Sequence, residues 1–166
     1  MKGDWTREAL TQAGFVGWEP WSACPVALAT IEPQAGGVYV VYCESSRPEY
    51  LDRNPAGTFR GDPSVSREAL DANWVARAQV VYIGKANHGR LRTRLKEFVD
   101  FGRGGKRRHW GGRLIWQLDL AERLLVAWRV LPRETVPQNV ERQMIATFRA
   151  DYGKAPFAND PHRLGS

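Results

Sequence analysis

"VVYIGKANHGRLRTRLKEF", residues 80–98, passes from an apolar strand to a basic helix through a turn that begins at a glycine. Its β-branched and aromatic residues predict a strand over residues 79–84. Leu91, Leu95 and Phe98 then recur at helical spacing and predict a helix over residues 89–101. A strand followed at once by an amphipathic helix is typical of a small sheet on which helices pack.

The rest of the chain predicts further strands and helices around this unit. Strands are expected where β-branched and aromatic residues cluster, at residues 36–43 and 123–131. Helices are expected at residues 4–13 with Asp4 as a possible N-cap, at 66–78 with Ser66 as N-cap, and at 137–153 with Gly153 as C-cap. Residues 113–120 fit a helical turn and a strand equally well. The fold class predicted is α+β, with a small antiparallel or mixed three-stranded sheet flanked by helices.

The domain organisation predicted is one main domain with two elaborations. Residues 1–36 form an N-terminal extension of one helix and a loop, and residues 37–160 form the main domain. Within it, residues 44–65 are predicted to form a long loop or insertion, because they are rich in proline and glycine and poor in aliphatic residues. Residues 161–166 are a tail.

Composition limits the class of protein. Hydrophobic residues make up 43% of the chain, which allows a core and argues against a disordered chain. The sequence has neither an apolar run of membrane-spanning length nor a secretory signal, so a cytoplasmic protein is expected. Cys24 and Cys43 lack metal-site spacing and are expected to be free thiols. His88 and His109 lack partners at zinc-site spacing.

Positive charge is concentrated in one segment. The chain has a net charge of +6, but residues 85–113 alone carry +8 and the remainder carries −2. Such a patch is the pattern expected of a protein that binds a phosphate backbone, although a solvated basic face has the same composition. The candidate nucleic-acid-binding residues in it are Arg90, Arg92, Lys96, Arg103, Lys106, Arg107, Arg108 and Arg113.

Two charged residues lie on or beside predicted apolar helix faces. Glu141 falls on the apolar face of the last helix, where a carboxylate needs a cation, a metal or strong donors. A structural salt bridge and a functional metal or acid–base role both satisfy that need. Arg94 lies about 70° from the centre of the apolar stripe of its helix, and Arg92 lies about as far on the other side. Each is either a surface arginine with a buried stem or a phosphate ligand.

These elements, in this order, resemble the GIY-YIG nuclease superfamily. The first signature is "GVY", residues 37–39, and the second is "YIG", residues 82–84. A helix with arginine follows as "LRTRL", residues 91–95, and a helix with glutamate as "VERQMI", residues 140–145. A late "P-x-x-N" element is present as "PFAN", residues 156–159.

The resemblance implies a metal-dependent endonuclease that hydrolyses phosphodiester bonds of DNA. It implies one divalent metal, Mg²⁺ with Mn²⁺ as a substitute, held by Glu141. Arg94 then grips the scissile phosphate, and Tyr39 activates the attacking water while Lys85 favours its phenolate form.

Further residues receive supporting roles from the same resemblance. Tyr82 orients substrate or water, Gly84 permits close backbone approach at the strand-to-helix turn, and Asn159 fixes the site. The partner implied is nucleic acid, with DNA expected and oligomeric state open.

Three features depart from the family pattern. Tyr39 and Tyr82 are 43 positions apart, which is why residues 44–78 are taken as an insertion. Phe98 stands where many members have Tyr or His, so His109 is expected to supply the missing polar group unless none is needed. Spacing from Gly84 would select Arg92 as the phosphate ligand, whereas helix phase favours Arg94. The alternatives from other classes are a catalytically silent nucleic-acid-binding module and a protein-interaction domain.

Overall fold

One antiparallel sheet forms the centre of the protein in a computed structural model that describes residues 3–159. Its strands are β1 (Val16–Pro20), β2 (Gly37–Tyr42), β3 (Val80–Ala86) and β4 (Leu125–Val130), in the spatial order β1-β4-β2-β3. The α+β class is confirmed, and the three strands predicted from the sequence are present. The prediction of a three-stranded sheet is wrong, because β1 adds a fourth strand from the N-terminal extension.

β1 was predicted to be loop because it lacks a regular strand pattern. Gly17 and Trp18 both have positive φ angles, and the pairing with β4 shifts register between Gly17 and Glu19. A Cβ at Gly17 would lie 2.4 Å from the ring of Trp128, so the residue that breaks the pattern is also required for the fit. Such a bulge conceals an edge strand from an analysis of period-two alternation.

Within residues 3–159, five α-helices surround the sheet: α1 (Arg7–Gln12), α2 (Cys24–Leu28), α3 (Arg67–Asn73), α4 (Leu91–Gly102) and α5 (Pro137–Tyr152). The hydroxyl of Thr6 caps α1, so the expected cap at Asp4 is wrong. The predicted cap at Ser66 and the left-handed C-cap at Gly153 are confirmed. Residues Trp110–Gln117 form a 3₁₀ helix with a kink at Gly112, so most of the ambiguous segment 113–120 is a helical turn.

The sheet separates two apolar layers. Strand geometry sends successive side chains to opposite faces, so Tyr39 and Val41 pack with α2, α4 and the 3₁₀ helix, on what we call the α4 face. Val38 and Val40 pack with α1 and α5 on the α5 face. All six residues of β2 are buried because it is an inner strand covered on both sides.

The extension and the insertion both belong to these layers. Phe15 of the extension packs on the α5 face. In the insertion, Leu70 and Ala56 pack on the α4 face. The predicted tail, residues 161–166, lies outside the described residues.

Two sequence expectations on thiols and membranes can be compared with the fold. Cys24 and Cys43 are buried free thiols, as predicted, and burial raises the pKa of Cys24 to about 12. Across residues 3–159, no helix combines the length and the apolar character needed to cross a bilayer.

Candidate active site

The two signature strands meet through a glycine that lies under a tyrosine. Gly84 pairs with Tyr39 in the β2–β3 register, and a Cβ at Gly84 would lie 2.4 Å from the ring of Tyr39. That separation is far inside van der Waals contact, so only glycine lets the phenol lie across β3. β3 continues to Ala86, so the expectation that Gly84 forms the strand-to-helix turn is wrong. The close approach that Gly84 permits is that of the Tyr39 ring.

A pocket of about 290 Å³ lies where β3, α4 and α5 approach one another. All five residues predicted to be catalytic line it, although they come from four separate elements of the chain. The pocket is lined by Tyr39, Tyr82, Lys85, Ala86, Asn87, Arg90, Arg94 and Glu141. A carboxylate, two guanidiniums, an ammonium and two phenols therefore face one small volume.

Arg94 and Arg92 have different surroundings although they are two residues apart. Arg92 donates to the carbonyl oxygens of Ala29 and Ile31, at the end of α2. Arg94 lines the pocket, donates to the carbonyl oxygen of Arg108 at 2.9 Å and lies 3.5 Å from Glu97. Helix phase therefore selects the arginine that reaches the pocket, and spacing from Gly84 does not.

Tyr39 is buried and its hydroxyl is hydrogen-bonded. Its oxygen lies 2.9 Å from Nε2 of His109, and its side chain is only 1% exposed. Burial raises the pKa of Tyr39 well above its usual value; Tyr82 and Glu141 raise it further, whereas Arg94 lowers it. Positive charge near Tyr39 therefore does favour the phenolate, but it comes from Arg94 and burial outweighs it.

Lys85 is directed elsewhere in the pocket. Its ammonium donates to Oδ1 of Asn87 at 3.0 Å and lowers the pKa of Glu141. β-strand alternation explains this placement, because Lys85 is one residue beyond Gly84 and pairs with Val38 on the α5 face. The cation that acts on Tyr39 is Arg94.

His109 lies where the family resemblance lacked a polar group. Its ring stacks on Phe98, with centroids 4.1 Å apart and planes at 18°. Burial and the charge of Arg94 lower the pKa of His109 well below its usual value, so the ring is neutral. Its Nδ1 is buried with no hydrogen-bond partner among residues 3–159. His109, stacked on Phe98, supplies the polar contact with Tyr39.

Glu141 is half-buried in the pocket. Burial raises its pKa to about 6, while Lys85, Arg94 and Arg142 lower it. No group of three or more His, Cys, Asp or Glu side chains in the described part of the chain is arranged to hold a metal. One carboxylate nevertheless suits Mg²⁺, which keeps several waters and commonly takes its other ligands from phosphate oxygens.

Asn159 acts on the backbone of β3. Its side chain accepts from the amide of Ile83 at 2.9 Å and donates to the carbonyl of the same residue at 2.8 Å. The amide of Ala158 donates to Val81. These contacts satisfy the exposed edge of β3, so Asn159 positions the strand that carries Tyr82 and Gly84.

The predicted nucleic-acid-binding residues divide into those that have a partner in the protein and those that form no ion pair within residues 3–159. Arg103 forms two hydrogen bonds with Glu122, Arg90 pairs with Glu97, and Arg92 binds backbone carbonyls. Arg113 lies over the ring of Trp110. The exposed residues that form no ion pair within residues 3–159 are Lys96, Lys106, Arg107 and Arg108. Half of the eight predicted nucleic-acid-binding residues therefore already have a partner in the protein.

Sequence reasoning missed two polar residues beside the catalytic set. Asn87 lines the pocket and accepts from Lys85. Glu97 lies 2.9 Å from Arg90 and 3.5 Å from Arg94. The spacing of Glu97 from Arg94 is the i,i+3 spacing of helix-surface ion pairs, which is the signal that could have identified it.

Comparisons of the chain with protein-family models, curated proteins and solved structures give no match. The likeness to GIY-YIG nucleases therefore depends on this chain's own motifs and on the pocket they form.

Proposed function

We propose that this protein is a metal-dependent endonuclease of the GIY-YIG type that hydrolyses phosphodiester bonds of DNA. One observation carries the proposal: Tyr39, Tyr82, Arg94 and Glu141 line a single pocket although they are distant in sequence. The motifs could occur in this order without their side chains meeting in one pocket. Residues with only a packing role would not need to meet there. Arg94 of the pocket donates to the carbonyl of Arg108, beside the exposed cations at residues 106–108, which suits a polyanionic substrate.

Arg94 would bind the scissile phosphate. Its planar guanidinium matches two phosphate oxygens, and charge that develops on them in the transition state would strengthen the contact. Its present partners are a backbone carbonyl and Glu97, so a phosphate would have to replace them. The pairing with Glu97 would hold the side chain in the pocket until substrate arrives.

Tyr39 and His109 would move a proton as a pair. Because the pKa of Tyr39 is raised, the phenol is protonated at neutral pH and can donate to neutral His109. An attacking water can then give its proton to the Tyr39 oxygen while the phenolic proton passes to Nε2 of His109. A phosphate bound to Arg94 would also offset the positive charge that lowers the pKa of His109. Water is thereby activated without a free phenolate.

Glu141 would hold the divalent cation at this pocket. A bound Mg²⁺ would supply electrostatic stabilisation of the charge on the phosphate oxygens. Lys85 and Arg94 are both close enough to Glu141 to lower its pKa. Their positive charge opposes a bare cation, so we expect metal and phosphate to bind together.

A silent nucleic-acid-binding module is the second candidate. It is favoured by the existing contacts of Arg94, which satisfy the guanidinium within the protein. It would use the same exposed cations and require no chemistry from Glu141.

Cleavage of supercoiled plasmid tests the proposal, with Tyr39→Phe as the main variant and Tyr42→Phe as its control. Each substitution removes one hydroxyl from β2, but Tyr42 bonds to Gln79 on the α5 face. We expect wild type and Tyr42→Phe to nick DNA with Mg²⁺ or Mn²⁺ and to stop when EDTA is added. Tyr39→Phe should lose most of the activity.

Two results would contradict the proposal. Equal nicking by Tyr39→Phe and wild type would show that any activity comes from elsewhere. Salt-sensitive DNA binding without cleavage in either metal would support the silent module instead.

A further inference from the structure

The insertion, residues 44–78, packs against residues 101–113 of the basic segment. The amide of Gly57 donates to the carbonyl of Phe101 at 2.8 Å, and a Cβ at Gly57 would lie 2.2 Å from the carbonyl oxygen of Gly105. Asn54, which is only 7% exposed, donates to the carbonyl of Arg113 at 2.8 Å. Hydrogen bonds therefore hold the insertion against residues 101–113, at a place where a side chain on Gly57 would not fit.

An aromatic ring projects from this surface into solvent. Phe59 is 38% exposed, and its ring meets Trp110 edge to face with centroids 5.7 Å apart. Phe101 supports it from beneath, with centroids 6.2 Å apart. Phe59 already packs against two aromatic rings, so core packing does not explain why part of its side chain is exposed.

Cations frame the ring. The guanidinium of Arg60 lies 5.6 Å from the centroid of Phe59, and that of Arg113 lies 5.0 Å from the centroid of Trp110. Lys106, Arg107 and Arg108 are exposed on the adjoining loop. The acid nearest in sequence, Asp62, already accepts from the amide of Ser64 at 2.8 Å. We call Phe59, Arg60, Trp110 and Arg113 the stacking platform.

The platform is linked to the pocket along the chain by residues 108–110. The carbonyl of Arg108 binds Arg94, and the next residue, His109, binds Tyr39. Trp110 follows directly in the platform. We therefore expect a nucleic acid whose phosphate reaches Arg94 to extend along residues 108–110 toward Phe59.

We propose that the platform stacks an unpaired base next to the bound phosphate, so that the substrate is single-stranded or contains a junction with unpaired nucleotides. An exposed ring within a cationic groove is the arrangement that binds bases without reading sequence. In an uninterrupted duplex the base faces are covered by their neighbours and cannot stack on Phe59. This inference rests on the proposed function for its substrate class, nucleic acid.

Binding measured in EDTA tests this inference independently of cleavage. The probes are a blunt 20-base-pair DNA duplex and the same duplex with a five-nucleotide single-stranded extension, both fluorescently labelled. Wild type should bind the extended probe at least ten times more tightly than the blunt one. Phe59→Ala should weaken binding of the extended probe about 5- to 150-fold, the range for loss of one stacked base.

Two variants serve as controls. Phe59→Trp keeps a ring and should retain the preference. Leu51→Ala changes another insertion residue of almost equal exposure, 37%, and should leave binding unchanged. In wild type, 2-aminopurine in the extension should lose fluorescence on binding, a readout that does not depend on whether Phe59→Ala folds.

The inference is overturned if wild type binds both probes equally, if the 2-aminopurine signal is unchanged, or if folded Phe59→Ala weakens both probes to the same extent. Its failure is separable from that of the proposed function. Mg²⁺-dependent nicking with no preference for the extended probe would refute only the stacking platform. The preference without cleavage of any probe would refute only the nuclease.

Discussion

The two faces of the sheet differ in what they bury. The α5 face has an apolar core in which Phe15, Val38, Ile145 and Phe148 are almost fully buried. The α4 face buries His109 and Gln117 among its apolar residues, and His109 retains an unpartnered nitrogen. An unsatisfied buried polar group costs about 1–3 kcal/mol. The α4 face thus accepts this energetic cost beside the pocket, whereas on the α5 face the buried Nε of Arg129, which has no hydrogen-bond partner within residues 3–159, lies beside Phe15.

The strongest test of this contrast removes one phenylalanine from each face. Phe15 and Phe98 are 1% and 0% exposed, and either substitution by alanine should lower the free energy of unfolding by about 3–5 kcal/mol. Only Phe98→Ala should also reduce cleavage by the folded protein, because His109 loses the ring on which it stacks. Urea unfolding and nicking rates at low temperature, corrected for the folded fraction, measure the two effects.

The contrast between the faces fails if Phe15→Ala and Phe98→Ala reduce the corrected nicking rate equally. The α4 face would then be a core like the other, and His109 would have no special dependence on Phe98.

A second comparison uses two arginines of one helix. Arg94→Ala should reduce cleavage about 10²- to 10³-fold, as loss of a charge-stabilising donor typically does. Arg92→Ala should change the rate little but destabilise the protein by about 1–3 kcal/mol, because two hydrogen bonds to Ala29 and Ile31 are lost. Single-turnover cleavage and urea titration separate these outcomes. A larger rate loss in Arg92→Ala would reverse the assignment that the pocket geometry supports.

The same pair of arginines shows what sequence can predict. Helix phase favoured Arg94 as the phosphate ligand, but it could not show which groups would bind the side chain of Arg92. That depends on the packing of α2, whose final carbonyls take Arg92. α2 itself lay within a segment predicted to be loop.

β1 and His109 illustrate two further limits. β2, β3 and β4 were predicted from their β-branched and aromatic residues, whereas the bulge and positive φ angles of β1 remove the alternation on which prediction depends. His109 was a candidate only through the family resemblance, because a residue in a loop carries no periodic signal. Lys85 was expected to lower the pKa of Tyr39, whereas burial raises it. The burial of Tyr39 depends on the whole packed layer, which the sequence alone does not show.

The smallest effect expected concerns Glu141, where function and stability oppose each other. Burial raises its pKa in the folded protein to about 6, from an ordinary value of 4.5. Between these two pH values the folded state binds a proton that the unfolded state has released, so stability from this group falls as pH rises. The full cost of ionised Glu141, reached above pH 6, is about 2 kcal/mol. Glu141→Gln should therefore be more stable than wild type by up to about 2 kcal/mol at pH 7.5, with little difference at pH 4.5.

Urea unfolding of wild type and Glu141→Gln at the two pH values measures that difference, with Glu134→Gln as a control on an exposed residue. His109 titrates with the opposite sign, since its lowered pKa makes the fold lose stability as pH falls below about 6.5. Its contribution is common to both proteins and cancels in the comparison. A variant less stable than wild type at pH 7.5 would mean that Glu141 is held by a structural ion pair. A variant that gains stability while losing cleavage would show that the ionised carboxylate of Glu141 is needed for cleavage although it destabilises the fold.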